Sequence, residues 1–155
     1  MSFDIPTGTR GRKHTSNPLV RLGNRFMIRR ARRSDSASLG PMRLLVLTTV
    51  GARSGQRRET PLAWFPDAGG GWLVVASANG AARNPAWYHN LAAHPEATIE
   101  VGGRTVPVTA EQLHGSEREE ALARIVAAAP NFAAYNDKTD RRIPVIRFRE
   151  RPAPA

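Results

Sequence analysis

The chain has 155 residues, contains no cysteine and carries a formal net charge of +10. One domain is expected at this length, and 41% hydrophobic residues is typical of a globular protein. The absence of cysteine excludes disulfides, thiolate catalysis and cysteine-ligated metal sites. The sequence has neither an apolar run of about 18 residues nor the apolar region of a secretory signal, so a cytoplasmic protein is expected.

The positive charge is concentrated in the first third of the chain. Residues 1–58 contain 13 Arg and Lys against 2 Asp and Glu, whereas the remaining residues contain 10 against 11. All but two of the basic residues are arginine, whose planar guanidinium suits phosphate and carboxylate, although genome composition can also favour arginine. A basic module that binds nucleic acid or a membrane surface is therefore one interpretation of this charge.

The N-terminal segments differ in their predicted order. Residues 1–17 are polar, basic and without periodicity, which predicts a flexible arm. Residues 18–33 predict a basic amphipathic helix, whose apolar stripe is Leu19, Leu22 and Phe26. This stripe packs on the body of the protein in one interpretation; in the other, the helix lies on anionic lipid at the inner face of the plasma membrane. A linker of small polar residues follows over 34–40.

Residues 42–150 predict one β-rich domain. Apolar and β-branched runs predict six strands, over 42–50, 59–65, 72–78, 97–101, 104–108 and 143–149. Gly102 and Gly103 form a two-residue hairpin signal. Pro107 cannot donate a hydrogen bond to a ladder, so it predicts an edge or a bulge.

Helices are predicted between these strands. One has Asn84 as N-cap and Pro85 at its first position, and another has Ser116 and Glu119 at capping-box spacing. The segment PNFAAYNDKTD predicts one or two further helical turns. Strands and helices do not alternate along the chain, which argues against a doubly wound sheet. An α+β fold that is mainly β, a small antiparallel barrel with peripheral helices, is expected.

The turn between the first two strands reads GARSGQRR, residues 51–58. Its glycines allow backbone N–H groups to converge on an anion, and Ser54 adds a hydroxyl. Arg53, Arg57 and Arg58 can form charge-assisted hydrogen bonds. The spacing is that of neither a Walker A loop nor a dinucleotide-binding glycine motif. The residues alone leave two alternatives, an anion site or a glycine-rich hairpin with solvated arginines.

A second segment, ASANGAARNPAWYHNL, ends a strand in small residues and opens a helix after a loop. Small side chains allow a flat ring to approach the backbone, and a helix start offers free N–H groups. Trp87, Tyr88 and Asn90 could supply a stacking face and polar groups. Alternatively, Trp87 and Leu91 are simply core residues one helical turn apart. The four histidines are not spaced as metal ligands, so no metal site is expected.

Together, the segments TTVGARSGQRRETPL, VVASANGAARNPAWYHNL, ATIEV and TDRRIPVIRF resemble the deazaflavin (F420)-dependent nitroreductase family of split-barrel oxidoreductases. The resemblance covers about residues 44–148 and implies a six-stranded split β-barrel that binds coenzyme F420, with FMN as the less favoured cofactor. It implies hydride transfer from the reduced deazaflavin to a small acceptor such as a quinone or nitroaromatic, by a monomer or homodimer that does not bind nucleic acid. A non-catalytic carrier of the cofactor is the alternative.

The resemblance also implies cofactor contacts at three places. The turn would bind the phosphate and glutamate tail, the end of the third strand would line the ring, and the following helix would close over it. The residues implied as cofactor-binding are Arg53, Ser54, Gly55, Gln56, Arg57, Arg58, Pro61, Val75, Ala76, Ser77, Ala78, Ala86, Trp87, Tyr88, Asn90 and Phe132. Ser77, Tyr88 and Tyr135 are the candidate proton donors.

The sequence departs from this family at several positions. Ala52 and Ala78 stand where basic residues are common, which leaves the tail to the three arginines of the turn. The prodrug-activating members carry tyrosines where this chain has Ala63, Ala129 and Phe132. Reduction of nitro compounds is therefore less expected than binding of the cofactor.

Overall fold

The computed structural model describes residues 3–5, 25–26, 28–29, 38–39, 42–76, 84–130 and 143–152. The strands and the two main helices in this part of the chain are β1 (Ser38–Leu39), β2 (Met42–Val50), β3 (Arg57–Pro66), β4 (Trp72–Val75), α1 (Ala86–Ala93), β5 (Glu96–Val101), β6 (Arg104–Gln112), α2 (Gly115–Ala128) and β7 (Val145–Glu150). The predictions for most of residues 1–33, for 77–83 and for 131–142 lie outside the described residues.

The strands form one antiparallel sheet that closes on itself. Their order is β1-β2-β3-β4-β7-β6-β5, and β5 pairs back onto β2. Strand β1 pairs with the start of β2, on the same edge that β5 uses further along at Val46, Leu47 and Thr48. The closed ring therefore has six strands, which confirms the predicted barrel. The predicted linker over 34–40 needs one correction, since it contains β1.

Two apolar clusters hold the barrel together. The interior is filled by alternate residues of the strands and by one face of α1, including Leu45, Leu47, Val74, Ile99, Phe148 and Leu91. Helix α2 packs outside the barrel on β4 and β7, where Ile125 meets Leu73 and Val145. Burying each of these aliphatic side chains stabilises the fold by about 1.5–3 kcal/mol. Strand β2 is buried on both faces from Leu44 to Leu47, as its unbroken apolar run predicts.

Strands β3 and β4 separate soon after they meet. They pair only at Phe65 with Leu73 and at Pro66 with Trp72, although β3 is ten residues long. Within the described residues, no strand pairs with this edge of β3 between Arg57 and Trp64. The five residues from Thr60 to Trp64 are all half-buried. We call this opening between β3 and β4 the split; it extends toward the turn at residues 51–56.

The glycine hairpin forms as predicted, whereas Pro107 lies without a bulge in β6, a strand with neighbours on both sides. Gly102 and Gly103 have φ values of 55° and 74°, the left-handed pair that a tight two-residue hairpin requires. The Pro107 carbonyl accepts a hydrogen bond from the Arg151 N–H at 2.8 Å, just beyond the last β6–β7 ladder pair at Val108. The nitrogen of Pro107 faces the same side, where β7 has already ended, so no ladder donor is lost.

Both predicted helix starts are displaced, the first by one residue toward the C-terminus and the second by two residues toward the N-terminus. Pro85, with extended backbone, precedes α1 in place of Asn84, and no side chain caps the helix. Helix α2 starts at Gly115, whose φ of +58° turns the chain into the helix one residue before Ser116. The predicted capping box is therefore wrong, because Ser116 already lies inside the first turn.

Part of the N-terminal segment can be described. Phe3 is buried with its ring edge-on to Tyr88 at 5.3 Å, and Asp4 exchanges two hydrogen bonds with Gln112. Residues 3–5 thus dock on the barrel, in contrast to the predicted flexible arm. Residues 25–26 and 28–29 are helical, and Phe26 of the predicted apolar stripe is 64% exposed. No helix in the described part is long and apolar enough to span a membrane.

Candidate anion and cofactor site

The turn between β2 and β3 is held in shape by its own hydrogen bonds. The Gly51 N–H donates to the Gln56 carbonyl at 2.7 Å, and the Gly55 N–H donates to the Gly51 carbonyl at 3.0 Å. The Gln56 N–H donates to the Ser54 hydroxyl oxygen at 3.2 Å. Gly55 has a φ of +69°, and a Cβ at Gly51 would approach the Ser54 Oγ to 2.5 Å. The backbone at Gly55 therefore favours glycine, whereas a side chain at Gly51 would have to displace the Ser54 hydroxyl.

Two consecutive backbone N–H groups of the turn have no partner within the described part of the chain. Those of Arg53 and Ser54 have no acceptor among the described residues, whereas the N–H groups of Gly51, Ala52, Gly55 and Gln56 are all engaged. The Ser54 hydroxyl accepts a bond but keeps its own hydrogen to donate. Adjacent free amides beside a hydroxyl are the donor arrangement of an anion-binding nest.

The three arginines of the turn are exposed, and no described carboxylate pairs with Arg53, Arg57 or Arg58. Their ladder positions separate them. Arg57 is the partner of Val50 and Arg58 the partner of Thr49, so the two arginines leave opposite faces of the sheet. Thr49 is buried on the interior side, against α1.

Helix α1 supports the turn from inside the barrel. Asn90 is 9% exposed, and its Oδ1 accepts the Ala52 N–H at 3.0 Å. Its Nδ2 donates to the Thr49 Oγ1 at 3.2 Å. Both ends of the Asn90 amide therefore contact protein, which differs from the direct cofactor contact predicted for it.

The end of the third predicted strand, which the resemblance assigns to the deazaflavin ring, lies along the split. Pro61 and Ala63 are half-buried on the outer face of β3, and Val75 is half-buried on the outer face of β4. Ala76 is buried, and its N–H donates to the Pro144 carbonyl at 3.0 Å. From Arg58 to Ala63 the strand rises about 17 Å. A ligand that spans both regions must therefore be long, with its anionic part at one end.

Trp87 and Tyr88 belong to the barrel interior. Trp87 is 6% exposed and packs in the same cluster as Leu91, which is the core interpretation of this pair. The Tyr88 hydroxyl donates to Gln112 Oε1 and accepts the Ile5 N–H at 3.0 Å. The proton-donor role predicted for Tyr88 finds no support in this geometry, because its fully buried hydroxyl is engaged by protein on both sides.

Of the other positions named from the sequence, Ala86 and Ala129 are described by the structure and the rest are not. Ala86 is exposed at the start of α1. Ala129 is buried under α2, against the outer face of the barrel. Ser77, Ala78, Phe132 and Tyr135 lie outside the described residues, so their roles stay predictions. No group of three His, Asp or Glu among the described residues could hold a metal ion.

A buried arginine paired with three carboxylates lies at the opposite end of β3. Arg147 on β7 is 7% exposed and forms ion pairs with Asp67 at 2.8 Å, Glu111 at 3.1 Å and Glu117 at 3.3 Å. We call these four residues the Arg147 cluster. Burial alone would lower the pKa of Arg147, but its hydrogen bonds to Glu111 and Asp67, the charge of Asp67 and the bond to Glu117 raise the pKa above its ordinary value.

A polar cleft of about 470 Å³ adjoins the Arg147 cluster, lined by the Asp67–Gly71 turn and the first turns of α2. Sequence reasoning missed this cluster. An arginine inside the apolar run IPVIRFR was the available signal, since a charge within a buried strand needs partners. Because carboxylates already surround Arg147, this end offers an anion far less than the turn does.

Comparison with known proteins assigns the family. A sequence model described as F420H(2)-dependent quinone reductase matches residues 17–149. The chain belongs to the F420H(2)-dependent quinone reductase family. The match covers the barrel with both of its helices and the whole turn. This confirms the resemblance to deazaflavin-dependent oxidoreductases.

Individual relatives agree with this assignment. The F420H(2)-dependent quinone reductase Rv1261c of Mycobacterium tuberculosis is 40% identical over 105 residues, which are 66% of this chain and 70% of the relative. A solved F420-H2 dependent reductase, FDR-A, is 38% identical with a TM-score of 0.62, over 68% of this chain and 93% of that one. A chain solved as a domain-swapped dimer is 34% identical with a TM-score of 0.65, over 84% and 97%.

Proposed function

We propose that this protein reduces a quinone with a hydride from F420H2, holding the tail of the cofactor at the β2–β3 turn and its ring along the split. The observation that carries the site is the pair of free amides at Arg53 and Ser54, surrounded by arginines that no described carboxylate neutralises. Family membership supports the identity of the anion, because F420H2 is the reductant named for the family.

The residues present fit the tail of this cofactor. Phosphate and carboxylate oxygens accept hydrogen bonds, and the turn offers two free amides, one hydroxyl and three guanidinium groups. Arg53 and Arg58 hold the charge of the tail, while Ser54 and the amides fix its orientation. Arg57 lies on the same face of β3 as Pro61 and Ala63, and there it replaces the positive charge missing at Ala52.

The residues along the split fit the flat, apolar part. Pro61, Ala63 and Val75 are half-buried and have small or rigid side chains, so a ring can lie close to the strands. Covering these side chains would remove water from the reacting face. Such a surface orients a ring without contributing a nucleophile or a metal.

When bound, F420H2 supplies a hydride, and the quinone also needs one proton to become the quinol. The described residues around the split offer no activated acid or base. Ser77 and Tyr135 remain the proposed proton donors, with solvent water as the third source. Nitro reduction is a weaker proposal, because Ala63 and Ala129 replace tyrosines of the prodrug-activating members.

Fluorescence titration of the purified protein with oxidised F420, and in parallel with FMN, tests the cofactor. We expect saturable binding of F420 and much weaker binding of FMN. Steady-state reduction of menadione by F420H2 then separates an enzyme from a carrier, since a carrier binds without turnover. Absence of F420 binding would contradict the proposal, and binding without turnover would favour the carrier.

We also propose that the predicted helix over 18–33 contacts anionic membrane. Phe26 is 64% exposed and is flanked by the exposed Arg25 and Arg29, which suits a lipid surface. Flotation with vesicles containing about one third anionic lipid should recover the protein, and Phe26→Ser together with Arg29→Ser should reduce recovery. Equal recovery with neutral vesicles would contradict this contact.

The oligomeric state is a separate proposal. A relative solved as a domain-swapped dimer supports a homodimer. Light scattering coupled to gel filtration, at several protein concentrations, should report twice the mass of one chain. A constant mass of one chain would favour the monomer.

A further inference from the structure

Asn90 lies where helix α1 meets the β2–β3 turn, and its amide bridges two backbone elements. Its Oδ1 accepts the Ala52 N–H, and its Nδ2 donates to Thr49 on β2. Ala52 is the residue immediately before the two free amides. A buried side chain that bonds this point fixes the direction in which the next two N–H groups lie.

We propose that Asn90 is a positioning residue for the anion site, which sets the geometry of the β2–β3 turn without contacting the cofactor. Two features favour this role over direct contact. Asn90 is 9% exposed and lies on the barrel side of the turn. The hydrogen bonds within the turn fix Gly51, Gly55 and Gln56, but only Asn90 ties the turn at Ala52 to the rest of the protein among the described residues.

The role has a consequence for affinity. A turn that moves freely must lose conformational entropy when it closes on an anion, whereas a fixed turn has lost that entropy during folding. Asn90 therefore contributes to binding of the tail but not of the ring, which lies along the split. This inference rests on the proposed function only for the identity of the ligand; the restraint on the turn exists in the cofactor-free protein.

The first test measures the restraint in the cofactor-free protein. Amide hydrogen exchange followed by NMR should show slow exchange at Ala52 in the wild type. Asn90→Leu, which keeps the number and branching of the side-chain heavy atoms and removes both bonds, should accelerate exchange at Ala52 at least tenfold and leave Leu47 in the β2 ladder unchanged. Asn90→Asp keeps an acceptor and should preserve the protection. Thr49→Val, the matched control, removes only the other partner and should also preserve it.

The second test measures binding. Asn90→Leu should weaken binding of intact F420 about tenfold, while the affinity for a deazaflavin fragment without phosphate and glutamates stays within twofold of the wild type. Combining Asn90→Leu with Arg53→Ala should cost less than the two separate losses together, since both act through one turn. If Asn90→Leu does not fold, Asn90→Ser, whose side chain is too short to reach Ala52, replaces it.

Failure of the positioning role and failure of the proposed function give different results. Unchanged exchange at Ala52 in Asn90→Leu would overturn the positioning role whatever the ligand is. An equal loss of affinity for F420 and for the fragment would also overturn it, because the effect would then not be specific to the tail. If the wild type does not bind F420 at all, the proposed function fails, and the exchange data still decide whether Asn90 holds the turn.

Discussion

Arginines lie near both ends of β3, exposed where the strand begins and buried where it ends. At the end where the strand begins, Arg53, Arg57 and Arg58 are exposed and unpaired among the described residues, beside two free amides. At the end where it finishes, Arg147 is buried and is surrounded by three carboxylates. The first arrangement offers positive charge to a ligand, whereas the second uses its charge to neutralise acidic groups of the protein itself.

The comparison shows that a count of arginines says little about function. The cleft beside the Arg147 cluster is polar and contains three arginines, yet it also contains Asp67, Glu117, Glu120 and Glu150. The N–H donors of Arg53 and Ser54 in the turn have no acceptor among the described residues. Unsatisfied donors, rather than concave shape or local charge density, indicate the anion site. The following predictions test this difference between the two ends.

The largest expected effect is at the Arg147 cluster. Arg147→Met leaves the Asp67 side chain, which is 7% exposed, without its cation. We expect the free energy of unfolding to fall by about 3–5 kcal/mol, the usual result of breaking a buried ion pair from one side. Urea unfolding measures this, with Arg53→Met as the matched control, for which we expect a change within about 0.5 kcal/mol. Equal losses in the two variants would contradict the comparison.

The second prediction removes charge from each end in turn. Arg53→Ala together with Arg58→Ala should weaken F420 binding about 10-fold or more, because charge-assisted bonds to the tail are lost. Arg124→Ala together with Arg149→Ala removes the same charge beside the Arg147 cluster. That pair should leave the dissociation constant nearly unchanged. A similar loss in both double variants would mean that only the overall charge of the protein attracts the cofactor.

The third prediction concerns two glycines with matching backbones. Gly55 has a φ of +69° and Gly70 a φ of +94°, and a Cβ at either would have nothing within 4 Å. Replacement by alanine should therefore destabilise each variant by about 1–2 kcal/mol, through backbone strain alone. Only Gly55→Ala should also weaken F420 binding. Thermal unfolding and titration on the same samples check this, and weaker binding by Gly70→Ala would contradict it.

The smallest expected effect is on pH dependence. His89 on α1 titrates, and burial lowers its pKa below 6.5. The unfolded chain then binds the proton more tightly, so stability should fall as pH drops below about 6.5 toward the lowered pKa. His89→Gln should flatten this dependence in urea unfolding; an unchanged slope would exclude His89 as its source.

The local signals of the sequence predict much of the fold. The unbroken run in β2 and the paired glycines at 102 and 103 depend on neighbouring residues, and the structure confirms both. Helix starts are harder to predict, because a left-handed Gly115 competes with Ser116 as the entry to α2. Strand β1 has two residues, too few for any periodicity to indicate it.

The residue types of the candidate site could be predicted from the sequence, but the long-range contacts that hold them in place could not. The glycines and arginines of the turn stand together in the sequence, so their pattern predicts an anion site. The contacts of Asn90 and Tyr88 could not be predicted in the same way. Asn90 reaches a residue 38 positions away, and the partners of Tyr88 lie 83 and 24 positions away. Such contacts exist only once the barrel has closed, and no local pattern encodes them.

The order of strands in the barrel also constrains how the protein is made. Strand β7 joins β4 to β6, so β4 at residues 72–75 has only two ladder pairs, both with β3, until residue 145 is available. On a ribosome the ring therefore stays open until synthesis has passed residue 150. During that time the interior faces of β2 and β4 are exposed, and folding that depends on such distant pairings is slow. The nascent chain should thus be most prone to aggregation, and most dependent on chaperones, just before its last strand emerges.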